Sequence, residues 1–181
     1  MKYVHYDKET GKLIGYYDDV IHQVIPKPNI QITEEQWQEA IDNGYNYVDA
    51  KNKTLSYKDF RTKEERLNDA KKNKINYLKQ TRDKFVNEII VTLETGERLD
   101  GNELAQTRMS RAIQALPDDT TTLDWIDANN NTVQLTKPKF SEALVLAGQE
   151  QTKIYVKYND LRAKVNNATT IEEVEAIKWK N

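Results

Sequence analysis

The sequence predicts an α+β fold, built from short β-hairpins and a few long helices. Three observations predict it. Short runs of alternating apolar and polar residues recur, as at Lys2–Tyr6 and Leu13–Tyr17, and period two is the mark of a half-buried strand. Residues 62–87 contain neither Gly nor Pro and are rich in Lys, Glu, Asn and Leu, the composition of a long polar helix. Phe140, Leu144, Ala147, Gln151, Ile154, Tyr158, Leu161 and Val165 are spaced alternately four and three apart, which is the seam used in left-handed helix pairing.

The elements follow in order. Lys2–Tyr6 and Leu13–Tyr17 flank the turn Lys8-Glu9-Thr10-Gly11, which makes a hairpin. Pro26 and Pro28 then break the chain. Thr33 with Gln36 three residues on is a capping box, Trp37, Ala40 and Ile41 follow at helical spacing, and Gly44 is placed to stop the helix. Tyr45–Ala50 and Thr54–Phe60 predict a second hairpin across Lys51-Asn52-Lys53. In the helix over 62–87, Leu67, Ile75, Leu78 and Phe85 share a face that Lys71 and Arg82 interrupt, so partial burial and a linking role are expected.

Ile89–Leu93 and a return strand ending at Asp100-Gly101 form a third hairpin around Thr95-Gly96. Asn102–Leu116 is expected as a helix with Leu104, Met109, Ala112, Ile113 and Leu116 inward, stopped by Pro117. Thr121–Asp127 and Thr132–Leu135 flank a turn of Ala128-Asn129-Asn130-Asn131. The Phe140–Val165 helix ends at Asn166-Asn167, and Thr169-Thr170 caps a last helix carrying Ile171, Val174 and Ile177. The organisation is therefore a small N-terminal α+β region over 1–61, a linking helix over 62–87 and a C-terminal α+β domain over 88–181.

Bulk properties narrow the function. A 38% apolar content in 181 residues supports modest cores, and a net charge of −2 gives no global attraction to nucleic acid or acidic membranes. Cysteine is absent, which removes disulfides, thiolate catalysis and Cys-built zinc sites. No apolar run reaches membrane-spanning length, and Met1–Asp7 lacks a hydrophobic signal core. These features lead us to expect a protein that starts in a cytoplasm.

No catalytic constellation is visible. His5 and His22, with Asp18 and Asp19, lack metal-ligand spacing and read as strand or extended-segment histidines. Asp127, Asn129 and Asn131 have the opening spacing of a calcium loop. Thr132 and Pro138 stand where Gly and Glu are needed, so a hairpin turn is the stronger reading. The acid pairs Glu34/Glu35, Asp118/Asp119 and Glu172/Glu173 sit at helix starts or in loops, and neighbours on a helix do not face each other. Ser56, Ser110 and Ser141 have no companion base at motif spacing. We expect no catalytic residue, no cofactor and no metal. Lys71, Lys72, Lys74, Lys79, Arg82 and Lys84 are diluted by Asp69 and Asp83 and scatter around their helix, as a solvated surface does.

The order of features resembles a known family. A hairpin with Leu99-Asp100 precedes a helix bearing Arg108-Met109-Ser110 and Ile113. Trp125-Ile126-Asp127, Thr132–Thr136, a long helix and Ala168–Val174 follow. Together they resemble a domain family of unassigned function found mostly in phage and prophage tail proteins. Ile30–Phe60, with Ile32-Thr33-Glu34-Glu35-Gln36-Trp37, resembles the N-terminal part of phage tail-fibre assembly or tail-fibre-associated proteins. That resemblance implies an assembly chaperone or minor tail component, a tail-fibre protein as partner, and no catalytic residues. It also implies residence in the bacterial host cytoplasm during assembly or in the virion tail.

The interaction reading places the contact on Tyr16, Tyr17, Tyr45 and Tyr47 of the N-terminal strands, because Tyr supplies amphipathic contact area at interfaces. Packing of the same tyrosines in a thin sheet is the alternative. The 140–165 stripe has two readings, pairing with the 62–87 helix inside one chain or self-association into a homo-oligomer. A regulatory nucleic-acid binder using the 71–84 helix is the second functional reading. An enzyme acting on cell-surface sugar is the third, and the paired carboxylates it needs are not visible.

Overall fold

A computed structural model describes residues 1–180, and these divide into two compact units, 1–61 and 62–180. The α+β class predicted from the sequence is the observed one, with small antiparallel sheets and a long C-terminal helix packed against hairpins. Among the described residues no helix is long and apolar enough to cross a membrane.

In the first unit, β1 (Lys2–Tyr6) is the central strand of a sheet in the order β2-β1-β3, with β2 at Leu13–Asp18 and β3 at Asn29–Ile32. The sequence reading treated the stretch after Pro28 as a break. Asn29–Ile32 is instead a third strand, paired antiparallel with Lys2–His5. Val4, buried and aligned with Tyr16 and Ile30, sets the core face, which also takes Ile32, Val48 and Trp37. The helix α1 (Glu34–Asp42) starts in the expected capping box, with Thr33 and Gln36 bonding each other's backbone N–H. Gly44 lies just past its end at φ +61, where a Cβ is disfavoured. Strands β4 (Tyr47–Asp49) and β5 (Thr54–Ser56) form the second hairpin.

The second unit opens on α2 (Lys63–Asn87), again from a capping box, Thr62 with Glu65. Hairpin β6 (Ile90–Thr92) and β7 (Arg98–Asp100) leads to α3 (Glu103–Ala115). Hairpin β8 (Thr122–Ile126) and β9 (Thr132–Thr136) leads to α4 (Lys137–Asn167), and α5 (Ile171–Ala176) closes the unit. The helix expected to link two bodies is packed as part of the second, against α4 and α5. Its polar interruptions explain why. Lys71 Nζ donates to Asn166 O at 2.8 Å, closing the end of α4. Arg82 lies over the rings of Tyr155 and Tyr158, a cation–π contact that lets a charge sit in a helix seam.

The α4 stripe organises two cores. Phe140, Ala143 and Ala147 are fully buried with Leu99, Met109 and Leu135, and Trp125 meets Phe140 edge-on at 4.9 Å. Further along, Tyr158, Leu161 and Val165 pack with Leu78 and Val174. Gln151 sits between these clusters. It accepts from Gln106 Nε2 at 3.0 Å and donates to Glu103 Oε1 at 3.2 Å. In α3 the inward set includes Ala105, and Leu104, expected inside, is exposed. Residue 105 shares a face with 109 and 112, and 104 does not. Gly101 is forced by contact: a Cβ there would lie 2.5 Å from Ile89 Cγ2 and 3.1 Å from Ala147 Cβ.

Phe140→Ala is expected to destabilise the second unit by about 3–5 kcal/mol, whereas Leu104→Ala should cost under about 0.5 kcal/mol. Urea unfolding followed by Trp fluorescence and circular dichroism distinguishes them. Equal costs would remove Phe140 from the centre of the core.

Candidate functional site

The four tyrosines picked from the sequence do not form one surface. Tyr16 and Tyr17 are consecutive on β2, so their side chains take opposite faces of the sheet. Tyr16 joins the core cluster with Val4 and Ile30, and its buried hydroxyl has no hydrogen-bond partner. Burial pushes its pKa up. Tyr17 stands on the other face between two imidazoles, with ring centroids 6.3 Å from His5 and 5.1 Å from His22. Tyr45 donates to Glu39 Oε1 at 3.3 Å, anchoring α1 to the following strand. Tyr47 is clasped between Gly11 and Lys58, whose Nζ lies 4.5 Å from its ring centroid.

The more prominent feature of the N-terminal unit is the connection between β2 and β3, which sequence reading passed over as a Pro-containing break. Its Val20, Ile21 and Val24 are 85%, 75% and 78% exposed, and Ile14 on β2 is exposed as well. The start of this loop is ordered by Asp18. The Asp18 carboxylate accepts from Val20 N–H at 2.9 Å, its carbonyl accepts from Ile21 and His22 N–H, and Lys2 Nζ pairs with it at 2.9 Å. The Val20 N–H and the Lys2 ammonium hold the Asp18 carboxyl below its usual range. Apolar side chains fixed outward in this way are unusual on a soluble surface unless something covers them. The sequence signal was present: of the five residues from Val20 to Val24, four are apolar or His, broken only by Gln23.

The other candidate constellations resolve into turns and caps. Asp127 Oδ1 accepts from the N–H groups of Asn129 and Asn131, both at 2.8 Å, so the calcium-like spacing builds a hairpin turn with Asn130 at φ +64. Asp118 accepts from the hydroxyls and N–H groups of Thr120 and Thr121, which pull its pKa down to about 2. Glu172 and Glu173 fall in the first turn of α5, where Glu173 accepts from the N–H groups of Thr169 and Thr170. Among the described residues no group of three or more His, Cys, Asp or Glu is placed to hold a metal ion. Of the basic residues on α2, Lys74 donates to Glu175 O and Ile177 O, Lys71 to Asn166 O, and Arg82 to Asp83.

One buried-edge ion pair stands apart. Lys139 Nζ bonds Glu97 Oε1, tying the first turn of α4 to the β6–β7 hairpin, and Thr95 Oγ1 donates to the other carboxylate oxygen. The Lys139 ammonium, with Thr95, lowers the Glu97 pKa from 4.5 to about 2.

Fold and surface together define a two-unit α+β protein with a compact helical C-terminal unit and a small N-terminal unit bearing an exposed apolar loop. Residues 69–178 match the family described as Domain of unknown function (DUF4376), and the chain belongs to that family. The match falls within the second unit and leaves the N-terminal sheet outside it. No curated protein and no solved structure matches the chain.

Two outcomes are expected from these groups. Tyr16→Phe removes an unpaired buried hydroxyl, so stability should be unchanged or higher by up to about 1 kcal/mol; a loss above that in urea melts would mean the hydroxyl has a partner. Glu97 binds fewer protons folded than unfolded, so its stabilisation is present above about pH 4.5 and lost as pH falls toward 2. Glu97→Gln should lower stability at pH 7, where the ion pair contributes fully, and flatten the acid limb of the stability curve in that window. An unchanged acid limb would show that the pair does not form in solution.

Proposed function

We propose that this protein is a bacteriophage tail-fibre accessory protein, an assembly chaperone or minor tail component, that acts by contact with the fibre protein. The observation that carries the reading is the β2–β3 loop, in which Val20, Ile21 and Val24 are exposed and the Asp18 turn fixes the backbone of residues 20–22. Apolar side chains on an ordered turn lose little entropy on docking, so contact with a partner returns most of their transfer free energy. Beside the loop, β3 is an edge strand of the sheet, and an open edge is the natural site for a strand of a second protein to add. A fibre chain awaiting trimerisation presents both complements, apolar surface and unpaired strands. Resemblance of the 30–60 region and of the C-terminal domain to phage tail proteins supports the choice of partner.

Tyr17 lies on the sheet face opposite the core and is the sequence-picked tyrosine best placed for contact, while Tyr16 serves the core. Expected behaviour is concrete. When the protein is co-expressed with a phage tail-fibre protein, taken from the neighbouring gene where one is found there, the two should co-elute in size-exclusion chromatography with light scattering, or the fibre should become soluble only in its presence. The double variant Val20→Asp, Val24→Asp should fold with stability within about 0.5 kcal/mol of the parent and lose that effect. A parent protein that ignores the fibre, or a double variant that still assists it, would overturn the reading.

A further inference from the structure

The end of α1 carries the one Asn-Gly pair of the chain, Asn43-Gly44, and both residues are exposed. Such a pair has its own chemistry. The amide nitrogen of a glycine has no side chain beside it to shield it, and it attacks the carbon of the preceding side-chain amide. A bond forms between Gly44 N and Asn43 Cγ, the Cγ–Nδ2 bond breaks, and Nδ2 leaves as ammonia with the amide proton. Water then opens the five-membered succinimide at either carbonyl. The product is an aspartate, or an isoaspartate in which the main chain runs through the former side chain.

In the folded chain the reaction depends on how firmly the peptide group after Asn43 is held, because Gly44 N must swing against Cγ. Asn43 is the C-cap of α1, at φ −96 and ψ 1. Gly44 N–H donates to Ile41 O at 3.2 Å and Tyr45 N–H to Ala40 O at 2.9 Å, and Asn43 Nδ2 donates to Glu39 O at 2.9 Å. These are the terminal bonds of a nine-residue helix with no basic residue in its last turn. Ile41 is exposed, and nothing stands within 4 Å of a Cβ placed on Gly44, so no packing closes over the turn. Helix ends held by such bonds alone open at little cost.

The second unit supplies a contrast. Asp100-Gly101 has the same ring closure open to it, with water as the leaving group and isoaspartate as the product. There Gly101 is buried and its N–H donates to Ile89 O at 2.7 Å. Ile89 Cγ2 and Ala147 Cβ stand 2.5 Å and 3.1 Å from the place of a Cβ, so the peptide group cannot turn without displacing the core. We propose that Asn43 is a site of spontaneous deamidation in the folded protein, gated by opening of the last turn of α1, and that conversion unfastens that helix end. A carboxylate at position 43 removes the donor to Glu39 O and adds a negative charge beside Asp42, at the end of a helix where anions are unfavourable. An isoaspartate adds a carbon to the main chain, which takes Gly44 and Tyr45 N–H out of register with the Ile41 and Ala40 carbonyls. The site stands or falls separately from fibre contact by the β2–β3 loop.

The test holds the full-length protein in mildly alkaline buffer, folded and in guanidinium chloride, and follows both sites by peptide mass mapping with chromatographic separation of isoaspartyl peptides. Asn43 in the folded chain should convert within about tenfold of its rate in denaturant. Asp100 in the folded chain should isomerise at least about a hundredfold more slowly than in denaturant. Asn43→Asp, which carries the product charge from the start, should speed hydrogen exchange at the Gly44 and Tyr45 amides and leave the Gly101 amide as in the parent. A folded chain that keeps Asn43 intact while the denatured chain converts, equal retardation at the two sites, or parental exchange at Gly44 and Tyr45 in the variant would each overturn the proposal.

Discussion

The structure of the C-terminal unit depends on one constraint, that a single 31-residue helix must bury an apolar stripe along its whole length against partners that change halfway. Toward its N-terminus α4 meets two hairpins and α3, and toward its C-terminus it meets α2 and α5. Apolar packing alone would leave the junction between these partners poorly fixed, because aliphatic contacts are not directional. Gln151 stands at that junction with bonds to Gln106 and Glu103. Hydrogen bonds do have direction, so α3 is set in register on α4 where the two cores part. The small residues follow from the same constraint. Ala143 and Ala147 let the hairpins approach, and Gly101 is glycine because Ile89 and Ala147 of α4 leave no room for a methyl group.

Charge is handled in the same local manner. Asp118, Asp127 and Glu173, which stood among the catalytic and metal-binding candidates, act as acceptors for nearby N–H and hydroxyl groups, as Glu65 does at the start of α2. Asp118 and Asp127 close turns, and Glu65 and Glu173 complete capping boxes. Several of these acids have carboxyls held below their ordinary range by those donors. A depressed carboxylate in a cleft is a functional signal, whereas the same shift in a turn is the mark of a satisfied backbone. Geometry decides between them here in favour of turns.

Much of this fold was legible in sequence because its elements obey local rules. Capping boxes at Thr33 and Thr170, the strand alternation of Lys2–Tyr6 and the four-three spacing of α4 each carry their own signal. What was not legible depended on partners distant in sequence. Asn29–Ile32 is only four residues and follows Pro28, so nothing local marks it as a strand; it exists because β1 offers an edge. Lys71 and Arg82 look like breaks in a helical face until Asn166, Tyr155 and Tyr158 are brought opposite them. The surface was harder still. Tyrosine content drew attention to Tyr16 and Tyr47, which are held by core and loop packing, while Val20 and Val24 were hidden in a segment without periodicity.

The two units differ in how they treat apolar surface, and that difference bears on what each is for. The family-matched unit shields its largest apolar side chains in two clusters, and its long seam is completed within the chain. The 140–165 stripe packs within the chain against α2, α3 and α5. The N-terminal unit has only a small core of Val4, Ile30, Ile32 and Val48, and it leaves an apolar loop in water. Exposed apolar side chains cost solubility and persist when a contact repays them. The second unit closes its cores while the first leaves a sheet edge and an apolar loop open, so substitutions at the buried positions of the second unit change whether it folds, and substitutions at Val20, Ile21 or Val24 leave stability nearly unchanged.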